Sequence, residues 1–366
     1  MKLSVGIVGL PNVGKSTLFN ALTKNSVPAE NYPFCTIDPS VGIVAVPDNR
    51  LDTLTKISKS QKTIPAAIEF VDIAGLVKGA ADGEGLGNQF LSHIRETDMI
   101  AEVVRIFDDE DTIHIAGVVN PLADIEVINL ELVLTDLQTV AKRLTAAQND
   151  LKRGDKTATK AAPVLARLRE HLKAGQLART LPVADAEETA PIRELQLLTT
   201  KPILYVLNKK AGAFNIDEQN DPRWTALTQF MEETGSEYVL VDAGVEHELK
   251  DLAEDEKQEF RREYGTQDSG IADLIRACYR LLGLISYFTT GQDETRAWTI
   301  PNGSTAPEAG TAIHTDFRDK FIRASVVAYE DLVNAGSIAA ARERGTLRTE
   351  GKEYVVKDGD VIEFRI

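Results

Sequence analysis

Cysteine and long apolar runs are both scarce in this sequence. Cys35 and Cys278 are the only cysteines among 366 residues, too few for a disulfide framework like those of small secreted domains. No stretch approaches the roughly 18 uninterrupted apolar residues that a membrane-spanning helix needs. Because the first residues also lack a signal-peptide pattern, we expect a cytoplasmic protein with no membrane partner.

Positive charge is the second deficit. The chain has 41 Lys and Arg residues against 56 Asp and Glu, a net charge of −15 at pH 7. This balance argues against a protein that coats nucleic acid nonspecifically, but it is compatible with a local basic patch. Seven basic residues near the C-terminus are either such a patch for RNA phosphate or ordinary surface charge. They are Arg318, Lys320, Arg323, Arg342, Arg344, Arg348 and Lys352.

What the sequence does contain is a complete phosphate-binding loop. Residues 9–16 read Gly-Leu-Pro-Asn-Val-Gly-Lys-Ser and match G-x-x-x-x-G-K-[ST] at every fixed position. An apolar run precedes the loop and a helical pattern follows it, as the motif requires. Gly9 and Gly14 let the backbone amides turn toward phosphate oxygens, while Lys15 reaches the outer phosphates and Ser16 ligates Mg2+. We also count Lys15 among the catalytic residues.

Two further segments complete the predicted magnesium and γ-phosphate site. Asp72 ends an apolar run and begins an Asp-x-x-Gly pattern, which predicts Asp72 as a metal ligand and the Gly75 amide as a γ-phosphate contact. Thr36 is the best placed threonine for sensing the γ-phosphate through Mg2+. The glycine-rich stretch 79–87 is either a segment that nucleotide orders or an inert loop.

The segment expected to select the base departs from the guanine pattern. A GTPase carries Asn-Lys-x-Asp, in which the carboxylate accepts two hydrogen bonds from guanine. This chain has Asn208-Lys209-Lys210-Ala211, and Ala211 has no side-chain acceptor. Asn208 and Lys209 are still predicted to contact the purine, with residues 242–244 behind it. The pattern favours ATP over GTP.

The residue that positions the attacking water is not obvious. Many GTPases place a glutamine directly after Asp-x-x-Gly, where this chain has Leu76. A leucine cannot orient water, so turnover is expected to be slow unless another group serves. His114 is one candidate, in an acidic segment that would raise its pKa. The alternative is a solvated loop histidine.

The order of apolar runs predicts an α/β protein with a parallel-rich sheet. Strands are predicted at 5–8, 67–71, 99–107, 203–207 and 238–241. Between them, Leu130, Val133, Leu137, Val140 and Leu144 follow the spacing of a coiled-coil seam. A second set follows: Leu165, Leu168, Leu172, Ile192, Leu195 and Leu198. We interpret residues 121–200 as a helical hairpin inserted into the nucleotide domain; the alternative is two ordinary surface helices.

After about residue 280 the pattern becomes one of short strands with a helix near 338–344, which indicates a small α+β domain. Lys357-Asp358-Gly359-Asp360 predicts a hairpin that joins strands 354–356 and 361–364. The predicted domains are therefore 1–120 with 201–280 for nucleotide binding, 121–200 for the helical insertion, and 281–366 at the C-terminus.

These motifs together resemble the Obg-like ATPases, or YchF family, over essentially the whole chain. Residues 9–16, 31–39, 72–80, 111–114 and 354–364 carry the resemblance. It implies a P-loop domain of the translation-factor class, an inserted helical hairpin and a ubiquitin-like TGS domain. A hydrophobic residue at Leu76 is a trait of this family, whereas Ala211 stands where the family usually has a glutamate.

The resemblance also implies site residues, activity and partners. Phosphates would contact Asn12, Val13, Gly14, Lys15, Ser16 and Thr17, and Mg2+ would be held by Ser16 and Thr36 together with Asp72. The implied function is that of a Mg2+-dependent ATPase switch that associates with the ribosome (50S or 70S), with RNA contacts through the TGS and helical domains. A monomer is expected. The alternatives are a GTPase translation factor of the same fold and a ribosome-binding module with a structural nucleotide site.

Overall fold

The computed structural model describes residues 3–24, 40–73, 85–109, 118–249, 252, 256–257, 259–260 and 270–366, with only the backbone for 85–89. The chain divides into a first unit of residues 1–3, 22–69 and 271–366 and a second unit of residues 4–21 and 70–270. None of the described helices is both long and apolar enough to cross a membrane.

The described strands are β1 (Ser4–Val8), β2 (Val41–Ala45), β3 (Lys62–Ile64), β4 (Ala67–Asp72), β5 (Met99–Arg105), β6 (Phe107–Asp108), β7 (Ile203–Asn208), β8 (Phe214–Asn215), β9 (Glu237–Val241), β10 (Leu284–Thr290), β11 (Glu294–Pro301), β12 (Arg323–Ala328), β13 (Arg348–Glu350) and β14 (Asp360–Arg365). The described α-helices are α1 (Lys15–Lys24), α2 (Arg50–Ser58), α3 (Gly85–Glu96), α4 (Pro121–Lys152), α5 (Lys156–Lys173), α6 (Ala186–Arg193), α7 (Pro222–Thr234), α8 (Ala243–Leu249), α9 (Gly270–Leu281), α10 (Ala306–Gly310), α11 (Asp316–Asp319), α12 (Tyr329–Ala335) and α13 (Ile338–Glu343).

The second unit contains the neighbouring strands β1, β5, β7 and β9, in that order. The pairs β1–β5, β5–β7 and β7–β9 are parallel, with Val5 opposite Met99 and Ile100 opposite Ile203. Every residue of β1, β5 and β7 is buried, as expected of strands covered on both faces. The parallel α/β prediction is confirmed. The predicted strand 99–107 differs in one respect: it is interrupted at Ile106, and β6 pairs antiparallel with β8.

The predicted helical hairpin is present as α4 and α5. Asn120 caps α4 by accepting the Ala123 N–H, and the 32 residues of α4 extend about 48 Å. Its first turns pack on the sheet through Ile125, Ile128 and Leu132, whereas later turns pack against α5. We call residues 133–173 the arm. The seam predicted within the arm is confirmed, but Leu130 is 52% exposed because Ile128 and Leu132 occupy the face toward the sheet.

A buried carboxylate on α4 binds the segment that leads from the arm back to β7. Asp136 accepts hydrogen bonds from the N–H groups of Leu198 and Thr199 and from the Thr199 hydroxyl, at 2.6–2.9 Å. Burial raises the pKa of Asp136, and these hydrogen bonds partly offset that rise. Leu198, predicted with the second helical set, packs instead in the cluster beneath the sheet.

Glu102 lies in the same apolar layer without such support. It projects from β5 between Ile100 and Val104 and is 0% exposed. Among the described residues, no donor lies within hydrogen-bond distance of either carboxylate oxygen. Burial, and then the negative charge of Asp124, raises the pKa of Glu102 well above its ordinary value; Arg179 acts in the opposite direction. The folded protein therefore binds the proton of Glu102 more tightly than an exposed glutamate would.

The first unit contains a six-stranded sheet in the order β13, β12, β14, β10, β11, β3. Strands β10 and β11 form an antiparallel hairpin, β12 pairs antiparallel with β14, and β3 pairs parallel with β11. The predicted α+β character of the C-terminal region is confirmed. Short helices and the side chains of Tyr287, Ile300, Phe321 and Val326 enclose its core.

The hairpin predicted around residues 357–360 is wrong. Residues 354–356 form no strand beyond an isolated bridge from Val355 to Thr305, and β14 pairs with β12 and β10 instead. The turn is occupied by long-range contacts. Asp358 accepts hydrogen bonds from the Ser286 N–H at 2.9 Å and from Arg50 at 2.7 Å.

Arg50 ties α2 to the C-terminal sheet within the first unit. Its guanidinium pairs with Asp48 and Asp358, both at 2.7 Å, and lies 5.0 Å from the centre of the Phe288 ring. Together with β3, this contact places residues 48–64 beside the strands that follow residue 283. The domain boundaries given above remain a prediction. The first unit contains residues 1–3, 22–69 and 271–280, which the prediction assigns to the nucleotide-binding domain.

Candidate phosphate-binding site

A cavity of about 790 Å³ opens in the second unit, where the parallel strands β1, β5, β7 and β9 end. The carboxyl ends of parallel strands are the usual position of ligand sites in α/β sheets. The lining residues are Leu10, Pro11, Asn12, Gly14, Lys15, Ser16, Thr17, Asp72, Phe107, Asp109, Asn208, Lys209, Lys210, Asp242, Ala243 and Gly244.

The loop between β1 and α1 curls around one side of the cavity. Asn12 and Gly14 have φ angles of 65° and 95°, the left-handed region, on either side of the buried Val13. Asparagine and glycine are the residues that adopt this region most readily, and such turns direct successive N–H groups inward. Helix α1 begins at once, with the Leu18 N–H donating to the Gly14 carbonyl at 2.9 Å. The loop and helix end therefore form a concavity suited to an anion.

Asn208 holds this loop in place from the end of β7. Its Nδ2 donates to the Val13 carbonyl at 2.8 Å, and its Oδ1 accepts the Ala243 N–H at 3.0 Å. A Cβ atom added to Gly14 would collide with Asn208 Nδ2. Gly14 is thus required both for its φ angle and for the closeness of Asn208, and the asparagine serves as a brace for the loop.

Lys15 and Asp72 form an ion pair within the cavity. The Lys15 ammonium donates to Asp72 Oδ1, and both side chains are largely buried. The pair brings together the cation predicted for phosphate and the carboxylate predicted for Mg2+. A phosphate with its metal would offer each of these groups a partner of opposite charge.

The opposite side of the cavity consists of the loops after β7 and β9. Asp242 accepts the Ala211 N–H at 2.6 Å and the Val245 N–H at 2.9 Å, so its two oxygens hold the loop and the first turn of α8. The Lys209 ammonium bonds Asp217 at 2.7 Å and Glu218 at 2.5 Å. Burial alone would lower the pKa of Lys209, but these carboxylates raise it on balance.

Sequence reasoning missed a cross-cavity ion pair between Asp109 and Lys210. Lys210 Nζ lies 2.6 Å from Asp109 Oδ2, joining the loop after β6 to the loop after β7. Phe107 and Asp109 follow directly from β5, so the rule that parallel strands end at one edge could have found them. Each of the three carboxylates that line the cavity, on Asp72, Asp109 and Asp242, therefore has a protein partner.

The structure brings most of the predicted site residues together. Asn12, Gly14, Lys15, Ser16, Thr17, Asp72, Asn208 and Lys209 line the cavity, and Val13 anchors the loop from beneath. Thr36, Gly75, Leu76 and His114 lie outside the described residues, so their predicted roles remain predictions. No group of three or more His, Cys, Asp or Glu suited to a metal ion occurs within the described part of the chain.

Known proteins are similar to this chain over its full length. A family model described as "50S ribosome-binding GTPase" matches residues 4–136, and YchF-GTPase_C, described as a protein of unknown function (DUF933), matches residues 284–366. The "Ribosome-binding ATPase YchF" of Bacillus subtilis (strain 168) is 50% identical over 365 residues, covering 100% of this chain and 99% of the relative. This chain belongs to the YchF family.

Two further YchF proteins are similar to this chain. The "Ribosome-binding ATPase YchF" of Escherichia coli O157:H7 is 49% identical over 364 residues, covering 100% of this chain and 99% of that protein. The structure described as the Schizosaccharomyces pombe YchF GTPase superposes with a TM-score of 0.88 at 36% identity, covering 100% of this chain and 98% of the other. The predicted family and fold class are confirmed.

Proposed function

We propose that this protein is a Mg2+-dependent ATPase that binds ribosomes and acts as a nucleotide-controlled switch in the cytoplasm. The observation that carries the proposal is the loop of residues 9–16, braced by Asn208 around a cavity in which Lys15 faces Asp72. The names of the bacterial relatives, which are ribosome-binding ATPases, support the activity and the partner.

The residues present fit a magnesium ion beside the phosphates. Ser16 contributes a hydroxyl and Asp72 a carboxylate to the same cavity, and oxygen donors of these kinds are those Mg2+ prefers. Thr36 is the third proposed ligand. When bound, the metal would neutralise charge on the phosphate oxygens during hydrolysis. Lys15 and the loop amides would orient the phosphates, and the Lys15–Asp72 pair keeps both charges compensated in the absence of nucleotide.

The acidic side chains around the cavity favour adenine over guanine as the bound base, because none of those that the structure describes is available to bind guanine. Guanine is read by an acidic side chain that accepts two hydrogen bonds from its edge, whereas Ala211 has none and Asp109 and Asp242 are already engaged. Lys209 borders the cavity, and its ammonium is held by Asp217 and Glu218. The aliphatic part of its side chain is therefore suited to contact the face of a purine. We assign Asn208 and Lys209 to the base-proximal wall.

Hydrolysis requires a group that orients water toward the γ-phosphorus. We assign this role to His114, because Leu76 cannot hydrogen-bond to water. The Gly75 amide is assigned to the γ-phosphate. Segments around Thr36 and 75–87 would change with the state of the nucleotide and alter how a monomeric protein meets the 50S subunit or the 70S ribosome, with RNA contacts by the helical and C-terminal regions.

A GTPase of the same fold is the second candidate. The family model for residues 4–136 and the Schizosaccharomyces pombe structure are both described as GTPases, which favours it. Calorimetric titration with ATP and GTP in Mg2+ separates the two. We expect ATP to bind more tightly; a clear preference for GTP would support the second candidate instead.

The Lys15→Ala variant tests whether the cavity is catalytic. Removing the cation that faces the phosphates should lower ATP turnover by roughly 100-fold or more. Lys352→Ala removes the same charge from an exposed position near the C-terminus and should leave turnover unchanged. Ribosome co-sedimentation of both variants completes the test: normal nucleotide-independent binding by Lys15→Ala would favour a ribosome-binding module with a structural nucleotide site.

A further inference from the structure

Positive charge is concentrated on one part of this acidic chain. Residues 142–173, which span the last third of α4 and all of α5, contain nine Lys and Arg against three Asp and Glu. Their net charge is +6, whereas that of the whole chain is −15. Such an asymmetry is typical of a surface that meets a polyanion.

The cations of the arm differ in how they are compensated. Toward α6, Lys160 pairs with Glu187 at 2.5 Å and Arg167 pairs with Glu188 at 2.8 Å. Farther along α5, Glu170 accepts both Arg169 and Lys173. These cations are partly neutralised by neighbours, so they contribute little to an external field.

The turn between α4 and α5 is different. Lys152, Arg153 and Lys156 are exposed there, and we call them the arm-end cluster. Arg153 is 80% exposed and forms a long ion pair with Asp150, at 3.8 Å. The Asp155 carboxylate caps α5 by accepting the Thr157 N–H and hydroxyl, both at 2.7 Å. Exposed Leu151 adds apolar area beside the cations.

Three of the basic residues near the C-terminus, considered above for RNA, form a contrasting set. Arg318 pairs with Asp319 at 3.3 Å, Lys320 with Asp316 at 2.8 Å, and Arg348 with Glu350 at 3.0 Å. An adjacent carboxylate cancels most of the field that a phosphate would feel within a Debye length. The arm-end cluster is therefore a better phosphate-binding surface than these three residues.

We propose that the arm-end cluster docks on the phosphate backbone of ribosomal RNA. This inference rests on the proposed function, since it names the surface through which a ribosome-binding protein would reach its partner. Lys and Arg side chains bind phosphates without reading bases and release counterions as they do so. The buried seam of the arm, with Val140, Leu165 and Leu168 at 0% exposure, presents these cations on a firm support.

The test compares two triple variants with equal loss of charge. Lys152→Gln, Arg153→Gln and Lys156→Gln remove the arm-end cluster; Arg318→Gln, Lys320→Gln and Arg348→Gln are the matched control. Ribosome affinity is measured by co-sedimentation with a nonhydrolysable ATP analogue over a series of salt concentrations. We expect the arm variant to bind roughly tenfold more weakly, with a salt slope shallower by about 2, and the control to resemble wild type.

Each other outcome has a distinct meaning. Equal affinity and slope for the arm variant and wild type would overturn this inference and leave the proposed function intact. Weaker binding with an unchanged salt slope would indicate a protein contact and overturn the RNA assignment. Failure of wild type to sediment with ribosomes would overturn the proposed function and, with it, this inference. ATP turnover without ribosomes should be equal in all three proteins, which shows that they are folded.

Discussion

The cavity and the arm end use charge in opposite ways. In the cavity Lys15 pairs with Asp72, Lys210 with Asp109, and Lys209 with Asp217 and Glu218. At the arm end Lys152 and Lys156 extend into solvent, and Arg153 forms only a long ion pair with Asp150, at 3.8 Å. Both regions belong to the second unit of the chain.

The difference reflects burial. A charge in a partly enclosed cavity loses hydration and needs a partner in the absence of ligand, whereas an exposed cation is solvated by water. A small ligand entering the cavity must therefore exchange partners with internal ion pairs, which favours selectivity. A large polyanion at the arm end needs only to displace water and counterions, which gives affinity without sequence preference.

Alanine substitutions at two glycines should show the largest difference between the two regions. Gly14 lies in the cavity loop and Gly154 at the arm end. Their φ angles are similar, 95° and 82°. A methyl group on Gly14 would collide with Asn208, whereas one on Gly154 meets nothing within 4 Å. Gly14→Ala should disfavour the loop conformation by about 4 kcal/mol and weaken ATP binding nearly a thousandfold, as measured by calorimetry.

Gly154→Ala is the matched control for that variant. Only the backbone cost applies there, so we expect about 1 kcal/mol of lost stability and unchanged ATP affinity. Equal ATP affinity for Gly14→Ala and wild type would show that the brace from Asn208 does not determine the binding conformation of the loop.

Truncation within the arm seam tests whether the arm-end cluster needs a packed support. Leu168 is 0% exposed in the seam, so Leu168→Ala should cost about 3 kcal/mol in the free energy of unfolding. Leu130→Ala removes the same atoms from an exposed position and should cost less than about 0.5 kcal/mol. Urea denaturation followed by circular dichroism compares them. Similar losses for both would mean that α4 and α5 do not pack as described.

Glu102 differs from the charged groups of both the cavity and the arm end. It is a buried carboxyl group with no compensating cation in contact. The folded protein keeps its proton to a higher pH than the unfolded chain, where the ordinary pKa is 4.5. Above that value the folded state binds more protons, so stability falls with rising pH by up to about 1.4 kcal/mol per pH unit until the raised pKa is passed.

The Glu102→Gln variant removes this titration and keeps the shape of the side chain. Between pH 5 and pH 8, wild type should therefore lose stability relative to the variant, as measured by urea denaturation at both values. Parallel pH dependence in the two proteins would mean that Glu102 ionises in the folded state with little penalty.

Local patterns in the sequence predicted much of the fold and of the site. The phosphate-binding loop, the core strands and the arm follow from motif and periodicity, because these signals lie within a few residues of one another. The role of Asn208 as a brace did not follow, since its partner Val13 is 195 positions away. The Lys210–Asp109 pair was not predicted for the same reason, since its two residues are 101 positions apart.

The failures in the C-terminal region have the same physical origin. Residues 357–360 have the local chemistry of a hairpin turn, yet Asp358 is taken by Arg50, which is 308 positions away. The exposure of Leu130 reflects a sheet that covers the neighbouring face of α4. Helix periodicity shows that an apolar stripe exists but does not show which of two partners will cover each turn.

Strand β3 has a consequence for the order in which the protein is synthesised. Residues 62–64 pair with β11, and nearby Ser60 bonds to Thr295, 235 positions later in the chain. During synthesis, β3 leaves the ribosome long before β11 has been made. Exposed strand edges favour wrong pairings during that interval. A gene fragment that begins after residue 283 would likewise encode a sheet with its outer strand missing, so exchange of this region between relatives must carry both pieces.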